Sequence, residues 1–313
     1  MDQSLDQDTW QIVIQSVRRH ARAVKEPGRR PRYSNWLIVA MHLWAVWHDR
    51  CLSWACHRVH YNTLFRPRGK LPSISQFTRR IKSEACQAIL QRVHNDLARD
   101  GLASSLGFID GKPLTVSPVS KDPDAARGHV SGGFARGYKL HAYINEHRRI
   151  VIWSLTPLNT DEKTVAREAL VPNLPPPADP LTALLLVDSA YDGAPLYKEV
   201  DAGGSGYALL APVRGEQFVG PNGRHPKTLA NMGPQRREAL SVWQEHPDLA
   251  EYVMEQRNNI EGVFSVLALA LGLHALPGFL RRLGRVRRWV GIKIILYHAR
   301  LQAQENAEAK LAA

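Results

Sequence analysis

Along the first hundred residues the apolar positions recur at helical spacing. Between Thr9 and Val24 they fall at Trp10, Ile12, Val13, Val17, Ala21 and Val24, one stripe of a 3.6-residue repeat, and Pro27-Gly28 ends it. Trp36 to Trp47 predicts a second helix, apolar on nearly every side. Residues 51–65 are aromatic but less periodic, and Pro67, Gly69 and Pro72 close them. Ser73-Ile74-Ser75 then reads as the cap of a helix running to about Ala98, with Arg79, Arg80 and Lys82 in its first turns. A short helix, a Gly/Pro turn and a Ser-capped basic helix are the parts of a helix-turn-helix reader, and also of many other helical domains.

From Gly107 the period shortens to that of strands. Phe108-Ile109 leads into Asp110-Gly111 and Leu114-Thr115-Val116, Tyr138 to Ile144 alternates, and Arg149 to Leu155 is a third strand. Asp161 caps a helix through Leu170, and a proline-rich loop follows. Leu184 to Val187 is a short continuous apolar run that suits a strand buried on both faces. A short helix over Ala194–Val200 precedes a fifth strand, Tyr207–Val213; residues 214–235 read as a loop, and the remainder to about Ala309 as helix. Short connections make the first three strands an antiparallel meander, and helical crossovers add the last two. The fold class is α/β: a mixed five-stranded sheet flanked by helices, behind an all-helical N-terminal domain.

Composition narrows the function classes. With 313 residues and 44% hydrophobic positions the chain is long and apolar enough for buried cores. Three cysteines, Cys51, Cys56 and Cys86, exclude a disulfide scaffold and fit a reducing cytoplasm. The best apolar run, Ser265 to Leu280, is broken by His274 and Pro277, and the N-terminus is acidic and polar. No membrane span or secretory signal is therefore expected, and a cytoplasmic location is. The net charge of +12 points to a polyanion partner. It is clustered: residues 18–32 hold seven cations, and a second group, Arg281, Arg282, Arg285, Arg287, Arg288, Lys293 and Arg300, is interleaved with apolar residues as on an amphipathic helix. Both clusters are candidate surfaces for a phosphate backbone.

Two aspartates stand where an α/β sheet places its ligands. Asp110 follows Phe108-Ile109, and Asp188 ends the Leu184–Val187 run. Adjacent buried carboxylates repel, and a divalent cation with a preference for oxygen donors, Mg2+ or Mn2+, resolves the repulsion. Each alone could equally be a turn or cap residue. A third acid is expected on a helix near the sheet. Glu261 lies beside the apolar positions Ile260, Val263 and Phe264, and Arg257 falls one turn earlier on the same face. That pair could equally be an ordinary helical ion pair.

Asp110 in FIDG, Asp188 in LLLVDSAYDG, and Arg257 with Glu261 in RNNIEGVF resemble the DDE motif of bacterial insertion-sequence transposases, whose catalytic core is ribonuclease-H-like. GYKLHAYIN, TPLNTDE, LPSISQFTRRIKS and RRWVGIKIILYHARLQ extend the resemblance over roughly residues 71–302. Two positions depart from it: Met254 stands where the family has a tyrosine, and Ala268 where it has a lysine. The arginines from Arg281 onward are the residues available to replace them.

The resemblance implies a helical DNA-binding region over 1–100, a catalytic domain over 101–305 and a tail over 306–313. It implies that Asp110, Asp188 and Glu261 hold Mg2+ or Mn2+, with Arg257 on a phosphate oxygen. The enzyme would bind double-stranded DNA, pairing the terminal inverted repeats of its element as a homodimer, cut at the element ends and join the 3′-OH to target DNA. The protein would work in the bacterial cytoplasm, on the nucleoid. Arg79, Arg80, Lys139, His141, Arg281, Arg282, Arg285, Arg287 and Arg288 are the DNA-binding candidates, Lys139 and His141 because alternate strand positions share a face. A nuclease on the same core without strand transfer, and an inactive DNA-binding derivative, remain open. Asp192 reads as a helix cap or an alternative to Asp188. Cys51, Cys56, His57 and His60 lie close together, but not at zinc-finger spacing. His129 to Gly133 reads as a loop.

Overall fold

A computed structural model describes residues 3–24, 31–98, 103–202, 204–212 and 233–312. The chain divides into two compact units: Met1–Arg99 with Ser120–Pro123 and Val266–Ala313, and Asp100–Val119 with Asp124–Ser265. No helix among the described residues is long and apolar enough to cross a membrane.

The first unit is helical. Helices α1 (Gln3–Ala23) and α2 (Asn35–Trp47) match their sequence patterns, α1 beginning earlier because residues 3–8 continue its polar face. Every residue of α2 from Ile38 to Val46 is buried, as expected of a helix apolar all round. The aromatic segment after it forms two short 3-10 turns. Phe65 packs 5.3 Å from Trp10 and 5.8 Å from Trp44, and the Trp44 indole donates to the His60 carbonyl at 2.9 Å. The single helix expected over 74–98 is two, α3 (Ile74–Ile81) and α4 (Glu84–Leu97). Ser83 causes the break: its hydroxyl accepts from the Cys86 amide and starts a new helix, just as Ser73 with Gln76 forms a capping box on α3.

The segment from Val266, read from sequence as the end of the second domain, packs with these N-terminal helices instead. Its long helix, designated α10 (Leu283–Ala312), buries Val286, Trp289, Val290 and Ile294 and lies against α1, α2 and α4. Two cations of the second basic cluster are consumed here. Lys293 is 1% exposed and donates to Asp49 at 2.6 Å, and Arg300 pairs with Asp6 at 3.2 Å. A buried ammonium with one partner costs most when that partner is lost.

The second unit is built on a sheet of six strands: β1 (Leu106–Thr115), β2 (Ala126–Val130), β3 (Gly133–Asn145), β4 (Ile150–Pro157), β5 (Leu184–Val187) and β6 (Ala208–Leu210). The extra strand is β2, read as a loop because Gly128, Gly132 and Gly133 interrupt its pattern. Gly128 is required there, since a Cβ would meet the Leu158 carbonyl oxygen at 2.5 Å. Otherwise the order is as expected. β4, β3 and β1 are antiparallel neighbours, and β5 and β6 add in parallel to β1. β2 pairs with the first half of β3, on the edge that β4 continues. This is the ribonuclease-H-like order that the resemblance implied. Helix α5 (Glu162–Val165), capped by Asp161 as expected and prolonged by a wider turn to Leu170, α6 (Ala194–Ala202), α7 (Pro234–Glu245), α8 (Pro247–Glu255) and α9 (Asn258–Ser265) complete the unit. Leu170, Leu185, Val187, Tyr191 and Leu196 form its core on one face of the sheet. The expected loop over 214–235 falls largely outside the described residues.

Replacing Asp49 with Ala strands the Lys293 ammonium. Because Asp49 is half exposed, the expected loss is about 1–3 kcal/mol, at the low end for a broken buried pair. Thermal unfolding should show a lower Tm for Asp49→Ala. Adding Lys293→Met should recover the part due to the stranded charge, while Ala at the left-handed Asp49 position (φ 53°) keeps its own cost; no recovery at all would mean that the pair is not what holds α10.

Candidate active site

The sheet register brings the two aspartates together. Ile109 on β1 pairs with Val187 on β5 in parallel, so Asp110 and Asp188 occupy the next register position on neighbouring strands. Paired positions point to one face, and strands lie about 4.8 Å apart. Asp188 keeps an extended backbone and accepts the Tyr191 amide through its carbonyl, while its carboxylate makes no capping bond. Asp188 thus stands at the N-cap position of the turn Ser189–Tyr191 and leaves its carboxylate out of the capping. Asp110 accepts its neighbour's Gly111 amide at 2.7 Å. Gly111 leaves room here: a Cβ would come to 3.1 Å from both the Tyr191 hydroxyl and the Lys139 side chain, and these would have to give way.

The electrostatics of this pair are unbalanced. Burial pushes the Asp110 carboxyl up to about 6; the Gly111 amide and the Arg257 guanidinium oppose the rise, and the charges of Asp188 and Glu162 add to it. Glu162, first residue of α5, is a third carboxylate at the site, paired to Lys139. Tyr191 is fully buried, and burial followed by the charges of Glu162, Asp110 and Asp188 holds its hydroxyl well above the usual phenol range. Sequence reasoning passed over Glu162 and Tyr191. The available signals were the acid directly after the Asp161 cap and the tyrosine three residues beyond Asp188.

Arg257 reaches this cluster, but not along the helix face expected. The helix assumed to carry both Arg257 and Glu261 breaks at Gln256-Arg257, and the Arg257 carbonyl accepts the Ile260 amide at 2.9 Å to start α9. Its charge acts on Asp110, and its Nε is buried without a partner. Helix α9 packs on β1, with the Lys112 ammonium 5.7 Å from the Phe264 ring centroid. Ile260, Val263 and Phe264 fill the buried stripe, which leaves Glu261 exposed rather than turned to the sheet as expected. Among the described residues no three His, Cys, Asp or Glu side chains converge as a metal-holding group. The Asp110–Asp188 pair itself fits a hard divalent cation. Its donors are oxygens, and burial with the neighbouring Asp188 and Glu162 charges outweighs the Gly111 amide and Arg257 at Asp110.

The remaining candidates separate sharply. His141 is not a DNA contact: it is fully buried between β1 and β4, with Nε2 3.0 Å from the Thr156 hydroxyl, and burial with the Lys139 charge lowers it to about 4. Lys139 shares that face, as expected, but is held by Glu162. Asp192 does not cap α6, whose first turn closes on the Gly193 carbonyl; Arg236 grips both its oxygens instead, at 2.9 and 2.5 Å. Arg80 is tied to Asn35, whereas Arg79 is exposed. Arg281, Arg282, Arg285 and Arg287 are exposed at the start of α10, and Arg288 is half-buried. His60 stacks on Trp54, with ring centroids 4.4 Å apart.

A family model described as a transposase DDE domain matches residues 102–297. The chain belongs to the transposase DDE-domain family. The match contains Asp110, Asp188, Arg257 and Glu261 and runs into α10. No curated protein matches the sequence. Among solved structures, a cryo-EM structure of the piggyBac transposase synaptic complex with hairpin DNA is similar with a TM-score of 0.48 and 10% identity, over 98% of this chain and 75% of that one.

The raised Asp110 value has a consequence for stability. The carboxyl is near 3.8 in the unfolded chain and about 6 in the folded one, so stability falls as pH rises through that window and stays low above it. In chelator-treated protein near pH 7, Asp110→Asn should therefore be more stable than wild type, by up to about 3 kcal/mol. The gap should narrow as the pH is lowered from 6 to 4. Thermal unfolding across that range checks it, and a less stable Asp110→Asn would refute the charge imbalance.

Proposed function

We propose that the chain is a DNA transposase that binds the terminal inverted repeats of its own element, cleaves at the element ends and joins the freed 3′-OH to target DNA. The observation that carries this reading is the register of β1 and β5, which sets Asp110 beside Asp188 in a sheet of this family. Asp110 and Asp188 would hold Mg2+ or Mn2+, and Glu261, exposed on α9, is the third donor that the family resemblance implies. A divalent ion there supplies charge neutralisation at phosphorus and a more acidic bound water.

The chain's own groups have distinct tasks. Arg257, with an unsatisfied guanidinium nitrogen beside Asp110, is suited to a non-bridging phosphate oxygen. Lys139 keeps Glu162 engaged, so that the negative charge of the site centres on the aspartates. In the first step water attacks phosphorus, the P–O bond to the 3′ oxygen breaks, and that oxygen leaves as a hydroxyl. In the second the 3′-OH attacks a target phosphodiester and displaces its 3′ oxygen, with one bond made and one broken. Arg79 and the exposed arginines at the start of α10 would hold DNA through backbone phosphates. Two element ends must be joined together, so a homodimer on DNA belongs to the reading.

The test is a cleavage and strand-transfer assay on labelled fragments of the host element's ends, with Mg2+, Mn2+ or EDTA. Wild type should cut and join only with metal, and Asp188→Asn should lose at least about 1000-fold, on the order of 4 kcal/mol of transition-state stabilisation. Cleavage without joining would make the protein a nuclease; end binding without cleavage would make it an inactive derivative.

A second comparison settles the third donor. Glu261→Gln should fall as far as Asp188→Asn, while Glu162→Gln should stay within about 10–100-fold, as for a residue that supports a ligand rather than being one. The reverse ranking would assign the third donor to Glu162.

A further inference from the structure

The helical unit contains a cavity of about 320 Å³, within the size range of small-molecule sites. Four cations line it: Arg50, Lys82, Arg285 and Arg288. No aspartate or glutamate is among its lining residues. Its floor is apolar, with Ile74 and Ile81 from α3, and its wall is a pair of aromatic rings. Phe279 and Trp289 meet edge to face, centroids 5.5 Å apart, and Phe279 is 43% exposed. His42 of α2 also lines the cavity. Its side chain is only 5% exposed, and its Nδ1 is buried without a hydrogen-bond partner.

These features call for one kind of occupant. Arg285 and Arg288 lie in the first turns of α10, where the helix dipole is already positive and cations are unfavourable. Burial and the Arg285 charge lower Arg288, and burial with the Arg288 charge drives His42 down to about 3. An anion relieves all of this, and an orphaned ring nitrogen offers it a further polar contact. A bare anion would leave the aromatic wall unused.

We propose that this cavity binds a nucleoside monophosphate, either free or as the 5′-terminal nucleotide of a DNA strand, with the phosphate on Arg50, Lys82, Arg285 and Arg288 and the base on Phe279 and Trp289. The inference goes beyond the strand-transfer reading and does not rest on it, since no catalytic carboxylate takes part.

The full chain is titrated with dAMP, deoxyadenosine, inorganic phosphate and a short single-stranded oligonucleotide with or without a 5′-phosphate, followed by calorimetry and the His42 ring resonances. We expect dAMP to bind at least about tenfold more tightly than phosphate or deoxyadenosine, equivalent to about 1.4 kcal/mol, and to move the His42 resonances. Arg50→Gln with Lys82→Gln, both at exposed positions, should weaken dAMP about tenfold or more, whereas Arg68→Gln, an exposed cation outside the cavity, should not. Phe279→Ala should weaken dAMP and leave phosphate unchanged. Competition between dAMP and the 5′-phosphorylated strand alone assigns the strand end, and binding of dAMP only assigns the free nucleotide; both support the site. Equal affinity for phosphate and dAMP, undiminished binding in the double variant, or unmoved His42 resonances would overturn it. Asp188→Asn should bind dAMP as wild type does, so the two readings fail separately.

Discussion

Two carboxylates on neighbouring parallel strands are the constraint around which the second unit is organised. The pairing of Ile109 with Val187 leaves Asp110 and Asp188 no way to avoid each other. Around them the chain makes room rather than adding compensation. Gly111 lets the Tyr191 hydroxyl and the Lys139 stem approach, Lys139 is spent on Glu162, and Lys112, two residues along the strand from Asp110, lies over the Phe264 ring. Arg257 contributes charge from a helix junction. The result is a site that is electrostatically incomplete in the protein alone. A fold optimised only for stability would not keep an aspartate titrating near 6 in its sheet.

What was legible in the sequence follows from which forces were local. The Leu184–Val187 run announced a buried strand, and Asp188 its end, because continuous apolarity and its sudden end are both one-dimensional signals. The sheet order followed from connection lengths. Strand β2 was hidden because its pairing with β3 depends on the near-contact of Gly128 with Leu158, which no local pattern encodes. The break between α3 and α4 was written in Ser83, but a cap inside an otherwise continuous apolar stripe is easily overridden by periodicity.

At the site the misreadings share one cause. His141 and Lys139 were assigned to a face correctly, yet a strand's face says nothing about what covers it. His141 is fully buried against the Thr156 hydroxyl, and Lys139 is held by Glu162 of α5. Asp192 looked like a cap because a helix follows it, and only tertiary structure brings Arg236 to it. Arg257 and Glu261 are four residues apart and would share a helix face, but Arg257 is the residue that starts the helix. Spacing rules hold within an element and lapse at its ends.

The helical unit shows the same incompleteness with the opposite sign. Helix α10 begins with Arg285, Arg287 and Arg288, against its own dipole, and has no acid in its first turn. The cations that serve the fold are further along and are matched: Lys293 by Asp49, Arg300 by Asp6. Within one helix, then, buried charges are paired where packing requires it and left unpaired where it does not. Unpaired arginines next to an orphaned His42 nitrogen and an open aromatic wall carry a standing electrostatic cost that only an anionic, partly apolar ligand removes. The Asp110 carboxyl on β1, pushed up by burial, carries the complementary cost, the one that the proposed divalent cation would remove. With both sites filled as proposed, the protein would gain stability from ligands of both signs.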